Sequence, residues 1–204
     1  MNDKNVIELF EIFKEYFPKF KSASNYVEEH DRITPQQAFI EGRDILSHIY
    51  DISISLDNDE KLKENIIEIK EHFRRGVAES YQEHYEYIAA DVYQDYSTYK
   101  KRLRPFEKLL RLYKIHKPIH EEVRGRIKQS QDLWIKGRSL KTKDLNSDKF
   151  DESINLFIQA NDTIEPLSEL VNELWNNFYQ RSTYVGLTLV ALIITSVFLL
   201  NYCL

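Results

Sequence analysis

The chain has 204 residues, a formal net charge of −5 at pH 7, five glycines, five prolines and a single cysteine. That length leaves ample room for a core, and sparse Gly and Pro among plentiful Glu, Lys, Leu, Ile and Tyr is the balance of helices with short connections. One cysteine excludes an intramolecular disulfide and suits a reducing compartment, and no alternating, turn-bounded runs announce strands.

In chain order, Val6, Leu9, Phe10, Phe13 and Phe17 recur at helical spacing from Asn5 to Phe17, and Pro18 should stop this helix. Thr34 reads as an N-cap and Pro35 as the first helical position of a second helix through Phe39, Ile45 and Ile49. Leu56 to Glu60, LDNDE, is a polar turn. A long helical stripe follows: Leu62, Ile66, Ile69, Phe73, Val77, Tyr81, Ile88, Val92, Tyr96, Tyr99 and Leu103. Pro105 should break it near Arg104, with a resumption through Phe106, Leu110 and Tyr113 and another break at Pro118. Further helices are expected over Glu121 to Leu140 and Lys149 to Asn161, joined by the loop KTKDLNSD. Pro166 precedes a last helix.

That last helix runs toward Tyr184 to Leu204, YVGLTLVALIITSVFLLNYCL, which contains no Asp, Glu, Lys or Arg. About twenty helical residues rising about 1.5 Å each cover about 30 Å, the hydrocarbon thickness of a bilayer. Its C-terminal position excludes a signal peptide, and the acidic helix-like sequence before it is unlike the spacer of a GPI signal. The expectation is therefore all-α: an elongated, cytoplasmic helical bundle over 1–180 and a single-pass transmembrane tail anchor over 184–204. Nothing hydrophilic lies beyond Leu204, and Arg181 agrees with the positive-inside tendency. Ser182 and Gly186 form a small-xxx-small pair, with Thr188, Ala191 and Thr195 along one side, a face that permits close helix approach and so a homo-oligomer.

Charge is unevenly spread. Residues 100–143 hold fifteen Lys and Arg against four Asp and Glu, leaving thirteen against twenty-nine elsewhere. Lys100, Arg104, Lys108 and Arg111 recur at helix-face spacing, opposite Leu103, Phe106, Leu110 and Tyr113. Such a segment suits an anionic membrane surface, where each basic residue adds about 1 kcal/mol. Nucleic acid ranks below lipid because few aromatics suited to base stacking accompany it. Tyr81, Tyr85, Tyr87, Tyr93, Tyr96 and Tyr99 crowd one helix and cannot share one buried face, which points to a protein interface over 81–99.

Arg43-Asp-Ile-Leu-Ser-His48-Ile-Tyr50 resembles the Arg-x4-His-x-Tyr motif of HEPN-superfamily ribonucleases, all-α proteins common in toxin–antitoxin and antiphage defence systems. The resemblance implies metal-free RNA cleavage with Arg43, His48 and Tyr50 in the site, His48 moving the proton and Arg43 stabilising phosphorane charge. Arg43 and His48 lie about 140° apart around a helix, so a second copy would face the first across a dimer. Trp134-x-x-Gly137, then Phe150 to Phe157, Ala160 and Pro166, is similar to a single tetratricopeptide-like hairpin. It implies a packing geometry and a protein-binding role.

Metal and nucleotide chemistry find little support, and no cofactor is expected. His116 and His120 have the spacing of a zinc pair but enclose Pro118. Glu68, Glu71 and His72, like Glu79, Glu83 and His84, lack the Glu-x-x-His spacing of di-iron helices and read as surface charge. No Gly-rich phosphate loop is present in the chain. The favoured expectation is a tail-anchored, self-associating interaction or effector module, non-enzymatic. A membrane-tethered HEPN-like ribonuclease is the alternative, and an oligomeric pore-forming defence effector the third reading.

Overall fold

A computed structural model describes residues 3–31, 35–141 and 147–202. Among them the fold is all-α: α1 (Asp3–Asp31), α2 (Gln36–Ile54), α3 (Asp59–Arg102), α4 (Tyr113–Lys141), α5 (Ser147–Ile164) and α6 (Leu167–Tyr202), with a 3-10 turn at Arg104–Phe106. Thr34, most of the KTKDLNSD loop and Cys203 lie outside the described residues. Pro35 precedes α2 as its cap residue instead of occupying its first position. The residues read from sequence as one bundle divide into two compact units, Met1–Ile88 with Ser130–Asp162, and Ala89–Gln129 with Thr163–Leu204.

In the first unit, Ile12, Tyr16, Ala23 and Val27 are buried along α1, with half-buried Phe20 completing the three-and-four spacing. Ile12, Tyr16, Phe20 and Ala23 of this stripe pack in one core with Leu62, Ile66, Ile69, Phe73 and Val77 of α3. Phe13 and Phe20 meet the Phe73 ring edge-on, with centroids 5.1 and 5.7 Å away. A Cβ at Gly76 would collide with the Phe20 ring, so the ring sits over α3 because residue 76 has no side chain. The stripe also explains why Pro18 does not stop α1. Pro18 faces solvent, and apolar contacts on both sides of it offset a helix-interior cost of about 3 kcal/mol.

The polar turn falls where expected. Asn58 Oδ1 accepts hydrogen bonds from the Glu60 and Lys61 amides at 3.2 and 3.1 Å, capping α3. In α2, Ala38, Glu41, Ile45 and Ile52 are buried and Ile49 is half-buried, whereas Phe39 is 70% exposed and not a core residue. The end of α4 and α5 form the expected hairpin. A Cβ at Gly137 would lie 2.8 Å from Phe157, and Ser153 Oγ donates to the Gly137 carbonyl at 2.9 Å. Phe157 and Ala160 are fully buried.

In the second unit, Tyr99, Leu110, Leu112, Leu174 and Phe178 form the core. Helix α3 ends at Arg102, as Pro105 demands, but no helix resumes at Phe106. Residues 107–112 instead close a turn: the Leu112 amide bonds the Glu107 carbonyl and the Arg111 amide the Lys108 carbonyl, the Schellman pattern. Pro118 does not break α4 either. It is exposed, while His116, His120 and Val123 carry a buried stripe past it.

Helix α6 starts in this core, burying Leu167, Val171, Leu174 and Phe178. It then continues without interruption into a segment whose large apolar side chains, from Tyr184 to Leu200, are all exposed. By length and composition this helix fits a membrane span.

Candidate functional site

The basic residues singled out from sequence do not share one helix face, because α3 ends before Arg104. The turn gathers them differently. Lys100 and Arg104 line a 360 Å³ concavity with Tyr96, Tyr113, Lys117 and Arg124. They also line a neighbouring one of 450 Å³, with Lys108 and Tyr113. Arg111 ends the turn with φ at 59°. That left-handed conformation is one glycine adopts freely and an arginine adopts at about 1 kcal/mol or more.

A buried polar cluster underlies this surface. Glu107, 1% exposed, has its Oε1 within hydrogen-bond distance of Tyr99 Oη (3.1 Å), His116 Nδ1 (3.1 Å) and His120 Nε2 (2.7 Å). Tyr96 Oη lies 3.2 Å from His120 Nδ1. Burial raises the pKa of Tyr99, with the Glu107 carboxylate adding to it, so its hydroxyl stays protonated and able to donate. Burial likewise raises Tyr96. The spacing of His116 and His120, suggestive of zinc in sequence, thus serves a shared carboxylate contact that shapes the turn from below.

Residues of the ribonuclease-like motif go to different partners. The Arg43 guanidinium is paired with Asp44 at 2.7 Å and holds that carboxyl below the usual carboxylate range. His48 is half-buried and faces α3: its Nδ1 lies 2.7 Å from Asn65 Oδ1 and its Nε2 3.2 Å from His72 Nε2. Tyr50 is 64% exposed. His72 and His84, read as surface charge, are buried, His72 against Glu41 of α2 and His84 against Tyr26 of α1, and Glu68 is half-buried.

One feature escaped the sequence reading. An apolar groove of 620 Å³ opens between α1 and α2, lined by Phe13, Phe17, Phe20, Phe39, Leu46 and Ile49 among others. Phe39 and Leu46 in this lining are largely exposed. The available signal was that α2 carries a second apolar set, Phe39, Leu46 and Tyr50, beside its core set of Ala38, Ile45 and Ile52. The tyrosines of α3 do not all share one buried face. Tyr81, Tyr85 and Tyr99 are buried, Tyr93 and Tyr96 are half-buried, and Tyr87 is exposed. Comparison with protein-family models, with curated proteins and with solved structures gave no match to this chain.

Proposed function

We propose that this chain is a membrane-tethered interaction module, non-enzymatic and self-associating, with its helical units on the cytoplasmic face. The observation that carries this reading is the continuity of α6, one helix leading from the buried Leu174 and Phe178 to a wholly exposed apolar stretch. Exposed leucines and isoleucines in such number need a nonaqueous surrounding, and a bilayer supplies it.

The basic turn supports contact with anionic headgroups. Arg181 Nε donates to the Leu110 carbonyl at 3.3 Å, which fastens the turn to α6 three residues before Tyr184. Lys108 and Arg111 are thereby held where the helix would meet the headgroup layer, along with exposed Phe106 and Leu109. The strained arginine at 111 fits this role, since a turn that served only the fold would be more stable with glycine there.

Self-association is assigned to the apolar α1–α2 face, not to the tyrosine helix. Copies confined to one bilayer meet at high effective concentration, and a face bearing Phe39 and Leu46 can pair with itself about a two-fold axis. Crosslinking the full chain in nanodiscs, with and without Phe39→Glu and Leu46→Glu, tests this part. Crosslinked dimers in the wild type that vanish in both variants support the reading; dimers of equal yield in all three contradict it.

A further inference from the structure

We infer that His48, Glu68 and His72 form a binding site for a first-row divalent transition metal such as Zn2+. Glu68 and His72 lie one turn apart on α3, and His48 comes from α2. One ligand atom from each of the three falls within 4.8 Å of the others.

The outer hydrogen bonds decide which histidine nitrogens are free to bind. Asn65 Nδ2 donates to the Lys61 carbonyl at 2.9 Å, which turns its Oδ1 toward His48. That oxygen only accepts, so His48 Nδ1 carries the proton. His72 Nδ1 lies 2.6 Å from Glu41 Oε2, and a carboxylate oxygen likewise accepts. Both Nε2 atoms then present lone pairs to each other across 3.2 Å. Two lone pairs so placed repel unless a proton or a metal ion lies between them, and the other cation at hand, the Arg75 guanidinium, stands off at 3.4 Å from His72 Nε2. Tetrahedral Zn–N bonds of about 2.05 Å put two ligand nitrogens about 3.3 Å apart, close to the spacing seen. Histidines held through Nδ1 by a carboxylate or amide oxygen, with Nε2 pointing inward, match the outer shell typical of metal-bound imidazole.

Arg75 is the opposing charge. Its Nη2 stands 3.0 Å from His72 Nδ1 and 3.4 Å from Nε2, and its Nε lies 3.6 Å from Glu41 Oε2. With both histidines neutral, Glu41 and Glu68 outnumber this guanidinium, while Arg43 and Asp44 neutralise each other, so a divalent ion still enters a net negative site. The assignment makes His48 a ligand that pins α2 to α3, a use independent of membrane tethering.

The test is titration of the chelator-treated full chain, in detergent micelles, with Co2+ and then Zn2+, followed by visible absorption and calorimetry. One equivalent of Co2+ should give the d–d bands of a four-coordinate site, and Zn2+ should bleach them. His48→Gln and the half-buried Glu68→Gln should each weaken binding at least about tenfold, Asn65→Ala should cost about 10- to 100-fold, and Arg75→Gln should tighten binding. Circular dichroism on each variant separates lost ligation from lost fold. Absence of saturable binding in the wild type, as a proton shared between the two histidines would give, overturns the proposal. Equal binding by wild type, His48→Gln and Glu68→Gln overturns it as well.

Discussion

Arg181 reaches from α6 to the carbonyl of Leu110, 3.3 Å away, and in doing so ties a basic turn to the last stretch of helix before the apolar segment. The two residues are separated by 71 positions, so the link is a product of the fold and not of local sequence. Leu110 and Leu112 insert beside Leu174 and Phe178, which buries the inner side of the turn and leaves Lys108, Leu109 and Arg111 outside. The basic turn and the helix that carries the apolar segment are thus joined within the second unit.

Arg111 should therefore show opposite effects on stability and on lipid contact. Arg111→Gly relieves the left-handed backbone and should raise unfolding stability by about 1 kcal/mol, read by urea titration in micelles. The same change should weaken contact with anionic lipid by about 1 kcal/mol. A fluorophore on Leu109→Cys, in a Cys203→Ser background, reports that contact in nanodiscs: depth quenching should be greater with anionic than with neutral lipid and should decline in Arg111→Gly. Quenching independent of lipid charge would contradict the assignment.

Two glycines on α4 offer a paired test of packing. Gly137→Ala places a methyl group 2.8 Å from the fully buried Phe157 ring and should destabilise by about 1–2 kcal/mol despite alanine's better helix propensity. Gly125 has nothing within 4 Å of its would-be Cβ, so Gly125→Ala should stabilise by about 0.5–1 kcal/mol. Thermal unfolding of the two variants checks both signs; equal shifts would remove the close approach of α4 and α5.

How much of this was legible follows from the kind of signal each feature leaves. The apolar tail is a contiguous run, and a charge-free stretch of that length has few alternatives. The hairpin was also readable, since Gly137 and Phe157 are local marks of a close crossing. The prolines misled. A local rule ends a helix at Pro18 or Pro118, but the stripes through Tyr16 and Ala23, and through His116 and His120, continue past them and outweigh a single lost hydrogen bond. His48 against His72 was not readable, because it depends on the register with which α2 folds back on α3 across the Asn58 turn. Arg111 was noticed for its charge, while its backbone conformation belongs to a turn that a helical reading of 106–113 had replaced.

Alkaline pH should weaken the packed helical cores through their buried tyrosines. Burial, then hydrogen bonding to Glu15, pushes the Tyr16 hydroxyl up to about 12, and Tyr81, Tyr96 and Tyr99 are also raised, mainly by burial. A pKa raised by folding means that the native state holds the proton more tightly. The stabilisation is full below the unfolded value near pH 10 and is lost as pH rises toward about 12. Tyrosinate absorbance should show the exposed hydroxyls ionising first and the buried ones only as helicity falls. All thirteen tyrosines ionising in a single step near pH 10, with helicity intact, would contradict this burial pattern.

The central claim is that α6 holds the protein in a membrane, and sodium carbonate extraction of membranes from cells expressing the full chain, beside a chain ending at Arg181, tests it most directly. The account predicts that the full chain stays in the pellet through the alkaline wash and that removal of 182–204 sends it to the supernatant. Extraction of the full chain, or membrane retention unchanged by the truncation, would contradict it.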